Sequence, residues 1–126
     1  MSDEVVLVAD DDDDILMLVT TRLRRDGFDV IAAQNGEEAL ALAKERRPAV
    51  AVLDIGMPGL DGLEVLQRIR ADDDLVGTRV LLLTAKAQES DVRRGYDAGA
   101  DGYVRKPFSP SDLSARVRTL LDDSAV

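Results

Sequence analysis

Several residue types with characteristic chemistry are missing from this sequence. It has no cysteine, so it forms no disulfide, which fits a cytoplasmic location. It has no histidine, which excludes a histidine base, metal ligand or phosphocarrier within the chain. No run of apolar residues is long enough to cross a bilayer, so we expect no membrane-spanning segment.

Basic residues are also scarce relative to acidic ones. The 126 residues include 16 Lys and Arg against 25 Asp and Glu, a formal net charge of −9. Direct binding to nucleic acid is therefore not expected, because contacts to phosphates need a basic surface. The acid excess suits a chain that holds a cation or meets a basic partner, although most of these acids serve solubility.

Short apolar runs alternate with longer amphipathic stretches five times along the chain. The apolar runs predict strands at Val5–Ala9, Asp29–Ala33, Val50–Leu53, Val80–Leu83 and Gly102–Val104. Helical spacing and end signals predict helices at Asp14–Arg25, Gly36–Arg46 with Asn35 as N-cap, a segment around Leu63–Ile69, Glu89–Ala98, and from Ser109-Pro110 to Leu121. This alternation predicts an α/β fold with a parallel sheet covered by helices on both faces. We expect one domain over residues 1–121 and a short tail over 122–126.

Five polar side chains fall at the carboxyl ends of the predicted strands: Asp10, Asp11, Asp54, Thr84 and Lys106. In an open parallel sheet, ligands bind at that edge. Three neighbouring carboxylates repel one another unless a cation or protons join them. Oxygen ligands without nitrogen or sulfur favour Mg²⁺, Mn²⁺ or Ca²⁺. The pattern therefore predicts a site for a hard divalent cation.

One of the three carboxylates is available for chemistry. Mg²⁺ usually takes only one or two carboxylates, and Asp54 stands alone on its strand whereas Asp10 and Asp11 form a pair. A carboxylate can attack phosphorus and form an acyl phosphate. A metal, a lysine and a hydroxyl can neutralise the charge on the transferred group. We therefore predict that Asp54 is a nucleophile toward a phosphoryl group.

The stretches VVLVADDDDDI, VAVLDIGMPGLDGLEVL, VLLLTA and GADGYVRKPF resemble the successive motifs of receiver domains of two-component signalling. The resemblance covers essentially the whole chain and implies the five-stranded (βα)5 flavodoxin-like fold of that family. It implies that Asp10, Asp11, Asp54 and the backbone carbonyl of Gly56 bind Mg²⁺, for which Mn²⁺ or Ca²⁺ can substitute. It also implies that Asp54 is the phosphoacceptor.

The resemblance assigns further roles around this centre. Thr84 matches the family's hydroxyl residue, and Lys106 matches its phosphate-binding lysine, followed by Pro107 with an expected cis peptide. Tyr103 matches the switch aromatic, although packing in the core is an alternative role for it. Gly56 and Lys86 occupy the two positions that tune dephosphorylation, and Lys86 is equally well explained as a solvated side chain.

The implied function is a signalling switch rather than an enzyme, apart from self-catalysed phosphorylation and dephosphorylation. A histidine kinase or histidine phosphotransfer protein would donate the phosphoryl group. The surface of the fourth helix, fifth strand and fifth helix would then control an unknown downstream protein. We expect a monomer or a weak phosphorylation-dependent dimer. Gly102 departs from the acid that many dimerising receivers carry there, whereas Asp112 and Arg116 are compatible with such pairing.

Two rival functions remain for the residues of this site. An aspartyl-phosphate phosphatase or phosphotransferase would usually carry an acid two residues after the nucleophile, where this chain has Gly56. A phosphate-independent binding module of the same fold usually lacks the acid pair or the lysine.

For Asp12, Asp13 and Asp14 we expect only a solvated helix start, since helix N-termini favour acids. No DNA-binding segment follows, so we expect a stand-alone regulator or an excised receiver.

Overall fold

A computed structural model describes residues 4–85 and 89–124 of the chain. Lys86, for which we predicted a tuning role, lies outside these residues. Within the described ranges, no helix combines the length and the apolar character that crossing a membrane requires.

Five parallel strands form one sheet at the centre of the fold. They are β1 (Val5–Ala9), β2 (Asp29–Ala33), β3 (Val50–Asp54), β4 (Arg79–Thr84) and β5 (Gly102–Arg105), in the spatial order β2-β1-β3-β4-β5. In this order the chain reverses its direction of travel across the sheet after β2. The carboxyl ends of β1 and β3 are therefore neighbours at the switch point, where open α/β sheets bind ligands.

Within the part of the chain that the structure describes, five helices connect and cover the strands. They are α1 (Asp13–Arg25), α2 (Gly36–Arg46), α3 (Gly62–Ala71), α4 (Glu89–Asp97) and α5 (Pro110–Ser124). Helix α1 begins where the Asp12 side chain accepts hydrogen bonds from the N–H groups of Asp14 and Ile15. Helix α2 begins where Asn35 accepts one from Glu38. These caps fix how the chain leaves the sheet edge at which the predicted site lies.

Apolar side chains alternate between two cores, one on each side of the sheet. On one side, Leu7, Leu53 and Leu82 pack with side chains of α2 and α3. On the other side, Val8 and Leu83 join the side chains of α1 and α5. Strands buried on both faces need no polar alternation, which explains why the predicted strands read as continuous apolar runs.

The structure confirms the predicted fold and shifts several element ends by one to three residues. Helix α1 begins at Asp13 rather than Asp14, because Asp12 provides its cap. Helix α5 continues to Ser124, so residues 122–124, which we expected to form part of a tail, are helical. That prediction was wrong because neither glycine nor proline follows Leu121 to end the helix.

Candidate functional site

The carboxyl ends of β1 and β3 bring three carboxylates together. One oxygen atom from each of Asp10, Asp11 and Asp54 lies within 4.8 Å of the other two. Asp10 is fully buried and Asp54 nearly so, whereas Asp11 is exposed. The cluster thus has a buried floor and one side that is open to solvent.

Asp10 is held in place by its backbone and by its side chain. Its N–H donates to the carbonyl of Ala33 on β2 at 3.1 Å. Its Oδ1 accepts a hydrogen bond from the Asp12 N–H at 2.9 Å, and its Oδ2 lies 3.0 Å from Nζ of Lys106. The Asp10 carboxylate is therefore pre-oriented before any ligand arrives.

Lys106 reaches into the cluster from the end of β5. Its Nζ lies 3.0 Å from Oδ2 of Asp10 and 3.4 Å from Oδ2 of Asp54, and the side chain is mostly buried. Its N–H donates to the carbonyl of Thr84 at 2.8 Å, which ties it to the end of β4. The Lys106–Pro107 peptide is cis, as predicted. The ammonium group is the positive partner that two buried carboxylates need.

The protonation equilibria of the site reflect this crowding. Burial, followed by repulsion from Asp10, raises the pKa of Asp54 to about 6, although Lys106 acts in the opposite direction. Burial alone would lower the pKa of Lys106, but its ion pairs with Asp10 and Asp54 outweigh burial and raise it. Lys106 is therefore a fixed positive charge at neutral pH, and a cation beside Asp54 would further favour the ionised carboxylate.

The segment after Asp54 lies close against its backbone and side chain. The N–H of Gly56 donates to Oδ1 of Asp54 at 3.2 Å. A Cβ added at Gly62, the first residue of α3, would lie only 2.5 Å from the Asp54 carbonyl oxygen. Sequence reasoning missed this close approach, for which the Asp61-Gly62 pair at the start of α3 is the available signal.

Thr84 and Tyr103 lie on neighbouring strands, β4 and β5. Thr84 is a buried residue at the carboxyl end of β4, next to β5 in the sheet. Tyr103 is half-buried on β5, and its ring meets that of Tyr96 on α4 edge-to-face at 6.0 Å. Tyr103 also packs against the core between the sheet and α2–α3, so the packing role that we left open is present in this conformation.

The neighbouring acids have a different role. Asp12 is the N-cap of α1, and Asp13 and Asp14 lie in its first turn, as expected of a helix start. Asp13 also accepts a hydrogen bond from the Gln34 side chain at 2.8 Å, which joins α1 to the β2–α2 connection. Among the described residues, the acidic cluster that could hold a metal ion thus consists of Asp10, Asp11 and Asp54.

The donor set fits a hard divalent cation. Oδ2 of Asp10 is buried and forms an ion pair with Lys106. Within residues 4–85 and 89–124 it accepts no hydrogen bond of good geometry. The three converging groups offer only oxygen atoms, and one of them is exposed to solvent, where a cation could keep some of its water. An acidic cluster that could hold a metal ion is therefore present at the predicted edge.

The chain matches known proteins over nearly its whole length. The family model described as response regulator receiver domain matches residues 6–118. The probable transcriptional regulator ycf27 of Porphyridium aerugineum is 45% identical over 121 residues, which are 96% of this chain and 49% of that protein. The DNA-binding response regulator MtrA of Mycolicibacterium smegmatis is 42% identical over 116 residues, covering 92% and 50%. The chain thus spans about half the length of the curated relatives it matches.

Solved structures agree with the sequence matches. The response regulator receiver domain protein (CheY-like) from Methanospirillum hungatei JF-1 superposes with a TM-score of 0.93 at 29% identity, covering 98% of both chains. The chemotaxis response regulator CheY4 of Vibrio cholerae gives a TM-score of 0.89 at 32% identity, covering 95% of this chain and 100% of that one. This chain therefore belongs to the response regulator receiver domains of two-component signalling.

Proposed function

We propose that this receiver domain is a phosphorylation switch in which Asp54 accepts one phosphoryl group in a Mg²⁺-dependent reaction. The observation that carries the proposal is the meeting of three carboxylates and one ammonium group at the carboxyl edge of the sheet. A phosphohistidine on a histidine kinase or histidine phosphotransfer protein would be the donor, as family membership implies.

In the proposed reaction, an oxygen atom of the Asp54 carboxylate attacks phosphorus. The new bond is O–P, and the P–N bond to the donor histidine breaks, leaving an acyl phosphate on Asp54 and a free imidazole on the donor. Attack requires the ionised carboxylate, which predominates at neutral pH even with a pKa of about 6.

Mg²⁺, with Mn²⁺ or Ca²⁺ as substitutes, would be held by Asp10, Asp11, Asp54 and the Gly56 carbonyl and would neutralise charge on the phosphoryl oxygens. Lys106 contributes a second positive charge, because its ammonium group already lies 3.4 Å from Oδ2 of Asp54. The Thr84 hydroxyl, on the neighbouring strand end, would donate a hydrogen bond to the new group.

The output of the switch would be a change of surface. Phosphorylation adds a charge of about −1.5 to −2 and new acceptor oxygens beside Thr84. In the proposal, Thr84 moves toward the phosphoryl group and Tyr103, now packed edge-to-face on Tyr96, turns inward. The surface of α4, β5 and α5 would then favour a downstream protein partner, as a population shift between two states.

The proposal also extends to the location, enzymatic activity and oligomeric state of the domain. We infer a cytoplasmic domain that is not an enzyme beyond its own phosphorylation and dephosphorylation. We also infer a monomer or a weak phosphorylation-dependent dimer. An aspartyl-phosphate phosphatase is less well supported, because Gly56 offers no side chain to act as general acid. A phosphate-independent module is less well supported, because the acid pair and the lysine are both in place.

Intact mass spectrometry tests the central step. The protein is incubated with acetyl phosphate and either Mg²⁺ or EDTA, beside Asp54→Asn and, as matched control, Asp73→Asn at an exposed acid in the α3–β4 connection. We expect one added phosphoryl group that requires Mg²⁺, persists in Asp73→Asn and is absent from Asp54→Asn. Labelling that persists in Asp54→Asn would show that another residue is the nucleophile.

A further inference from the structure

Helix α2 begins in direct contact with the connection between β3 and α3. A Cβ added at Gly36, the first residue of α2, would lie 1.8 Å from the carbonyl oxygen of Leu60 and 2.7 Å from its carbonyl carbon. These atoms belong to the backbone, so no rotation of a side chain could relieve the overlap. The two segments can approach this closely only because residue 36 is glycine.

The connection that Gly36 supports spans residues 55–61 and carries Gly56 beside Asp54. Its N–H groups at Ile55 and Gly56 donate to the Leu83 carbonyl and to Oδ1 of Asp54, respectively. Away from the site, the same connection is anchored by the buried side chains of Met57 and Leu60. Both belong to the core cluster that contains Ala39 and Leu40 of α2. The connection between β3 and α3 thus packs against α2.

Gly59 of the connection also lies close to the start of α2. Gly59 has φ +73°, and a Cβ added there would lie 3.0 Å from Oε2 of Glu37, the second residue of α2. The first two residues of α2 therefore both lie close to the connection, Gly36 at Leu60 and Glu37 at Gly59. By contrast, a Cβ added at Gly56 would meet only Oδ1 of Asp54 at 3.9 Å, an ordinary contact.

We propose that Gly36 is a positioning residue for the cation site, acting through the connection that carries Gly56. The inference rests on the proposed function, in which the Gly56 carbonyl is a metal ligand. A side chain at Gly36 must push Leu60 away from α2, and the connection is anchored at one end by Asp54 and at the other by α3. The displacement is therefore passed along a short backbone segment to Gly56.

Metal binding is sensitive to such a displacement. Mg²⁺ demands ligands in a near-ideal octahedron, so a small movement of one oxygen atom weakens its binding. Loss of residues that support metal ligands typically weakens affinity by about 10–100-fold. We expect Gly36→Ala to raise the Mg²⁺ dissociation constant by about tenfold, at the lower end of that range.

The test measures Mg²⁺ binding directly by isothermal titration calorimetry and phosphoryl incorporation from acetyl phosphate as a function of Mg²⁺ concentration. For Gly36→Ala we expect a weaker calorimetric affinity and a matching rise in the Mg²⁺ concentration that gives half-maximal rate. The rate at saturating Mg²⁺ should stay within about twofold of wild type, because Asp54, Thr84 and Lys106 keep their positions.

Two control variants separate positioning from stability. Gly77→Ala adds a Cβ where nothing lies within 4 Å, and should leave Mg²⁺ affinity unchanged. Val117→Ala removes buried apolar volume from the opposite core, on α5, and should lower the denaturation midpoint without changing Mg²⁺ affinity. Should Gly36→Ala fail to fold, Met57→Ala weakens the same anchor without a backbone overlap, and it should raise the Mg²⁺ dissociation constant in the same direction.

The outcomes are distinct. A folded Gly36→Ala protein that binds Mg²⁺ as tightly as wild type overturns the positioning role, whatever its stability. So does an equal loss of affinity in Val117→Ala, because the effect would then be a general consequence of destabilisation. If the wild-type protein itself binds no Mg²⁺, the proposed function fails and the positioning role fails with it. Weaker binding in Gly36→Ala alone supports both.

Discussion

At the scale of single residues, the two adjacent acids of the site have different environments. Asp10 is buried and uses both carboxylate oxygens, one for the Asp12 N–H and one for Lys106. Asp11 is exposed and lies within 4.8 Å of both other carboxylates. Asp10 therefore anchors Lys106 in the resting site, whereas Asp11 adds repulsion that a cation would relieve.

This difference predicts the effect of Asp11→Asn on stability. Without divalent cations, we expect the free energy of unfolding to stay equal to that of wild type or to rise, because repulsion from Asp54 is removed. With Mg²⁺ at ten to a hundred times its dissociation constant, wild type should gain about 1.4–2.7 kcal/mol by linkage. The variant should lose most of that gain. Urea unfolding in EDTA and in MgCl₂ measures both quantities.

Asp14→Asn is the matched control for this experiment. Asp14 is another exposed acid of the same run, but it lies in the first turn of α1 and outside the cluster. Its variant should keep the full Mg²⁺ gain. An equal gain in Asp11→Asn and wild type would show that Asp11 does not contribute to the cation site.

The sequence indicated which polar residues meet at the edge of the sheet but not all of their contacts. Asp10, Asp54 and Lys106 could be selected because each follows an apolar strand, and strand ends meet at one edge. The sequence could not show that Lys106 lies closer to Asp10 than to Asp54 in the resting site. Nor could it show that Gly36 touches Leu60, because that contact depends on how α2 packs against a distant connection.

At the scale of elements, local signals predicted most boundaries. The bounds of β1, β2 and α2 agree with the prediction, because acids, Asn35 and Pro48 mark their ends. The end of α5 was predicted three residues too early, where the sequence offers no stop signal. Caps and breakers are local, so they can be predicted, whereas the end of a helix without them depends on packing.

The joint between α1 and α5 predicts a pH-dependent contribution to stability. The Ser114 hydroxyl on α5 donates to the Asp26 carboxylate at the end of α1, and Arg22 pairs with the same group. These contacts, of which the hydrogen bond from Ser114 has the largest effect, hold the pKa of Asp26 below its usual value. Because the pKa of Asp26 is lower in the folded protein than its unfolded value of about 3.9, ionised Asp26 stabilises the fold at pH values above about 3.9. This stabilisation is lost as the pH falls through the lowered folded-state pKa.

We therefore expect Ser114→Ala to lower the free energy of unfolding most above about pH 5, with the difference from wild type shrinking at more acidic pH. Urea unfolding at several pH values measures this difference. Thr119→Ala is the control, because the Thr119 hydroxyl donates to the Ala115 carbonyl within α5. Its effect should not vary with pH. A constant difference for Ser114→Ala would contradict the role of its bond to Asp26.

At the scale of the whole molecule, the alternation of elements predicted a parallel sheet with two covered faces, but not the strand order. The order β2-β1-β3-β4-β5 depends on pairings between distant segments, such as Val6 with Val50 and Val50 with Arg79. No local pattern encodes such pairings. The family resemblance implied the flavodoxin-like fold, but the sequence analysis gave no strand order, which the structure supplies.

Net charge predicts how the whole fold responds to salt. A charge of −9 spread over a small domain destabilises the compact state through repulsion between exposed acids. Exposed ion pairs such as Arg46–Asp29 and Arg47–Asp74 oppose this effect, but each is worth little and is also screened. Repulsion should dominate, so in EDTA we expect a higher free energy of unfolding at about 0.5 M NaCl than at about 0.02 M.

Asp73→Lys tests that explanation, because it replaces an exposed acid of the α3–β4 connection with a base and leaves the site residues in place. Reducing the net charge should shrink the increase in unfolding free energy between low and high salt. Urea unfolding of both proteins at the two salt concentrations gives the comparison. If added NaCl instead lowers the stability of wild type, ion pairs outweigh repulsion, because screening would then remove more attraction than repulsion.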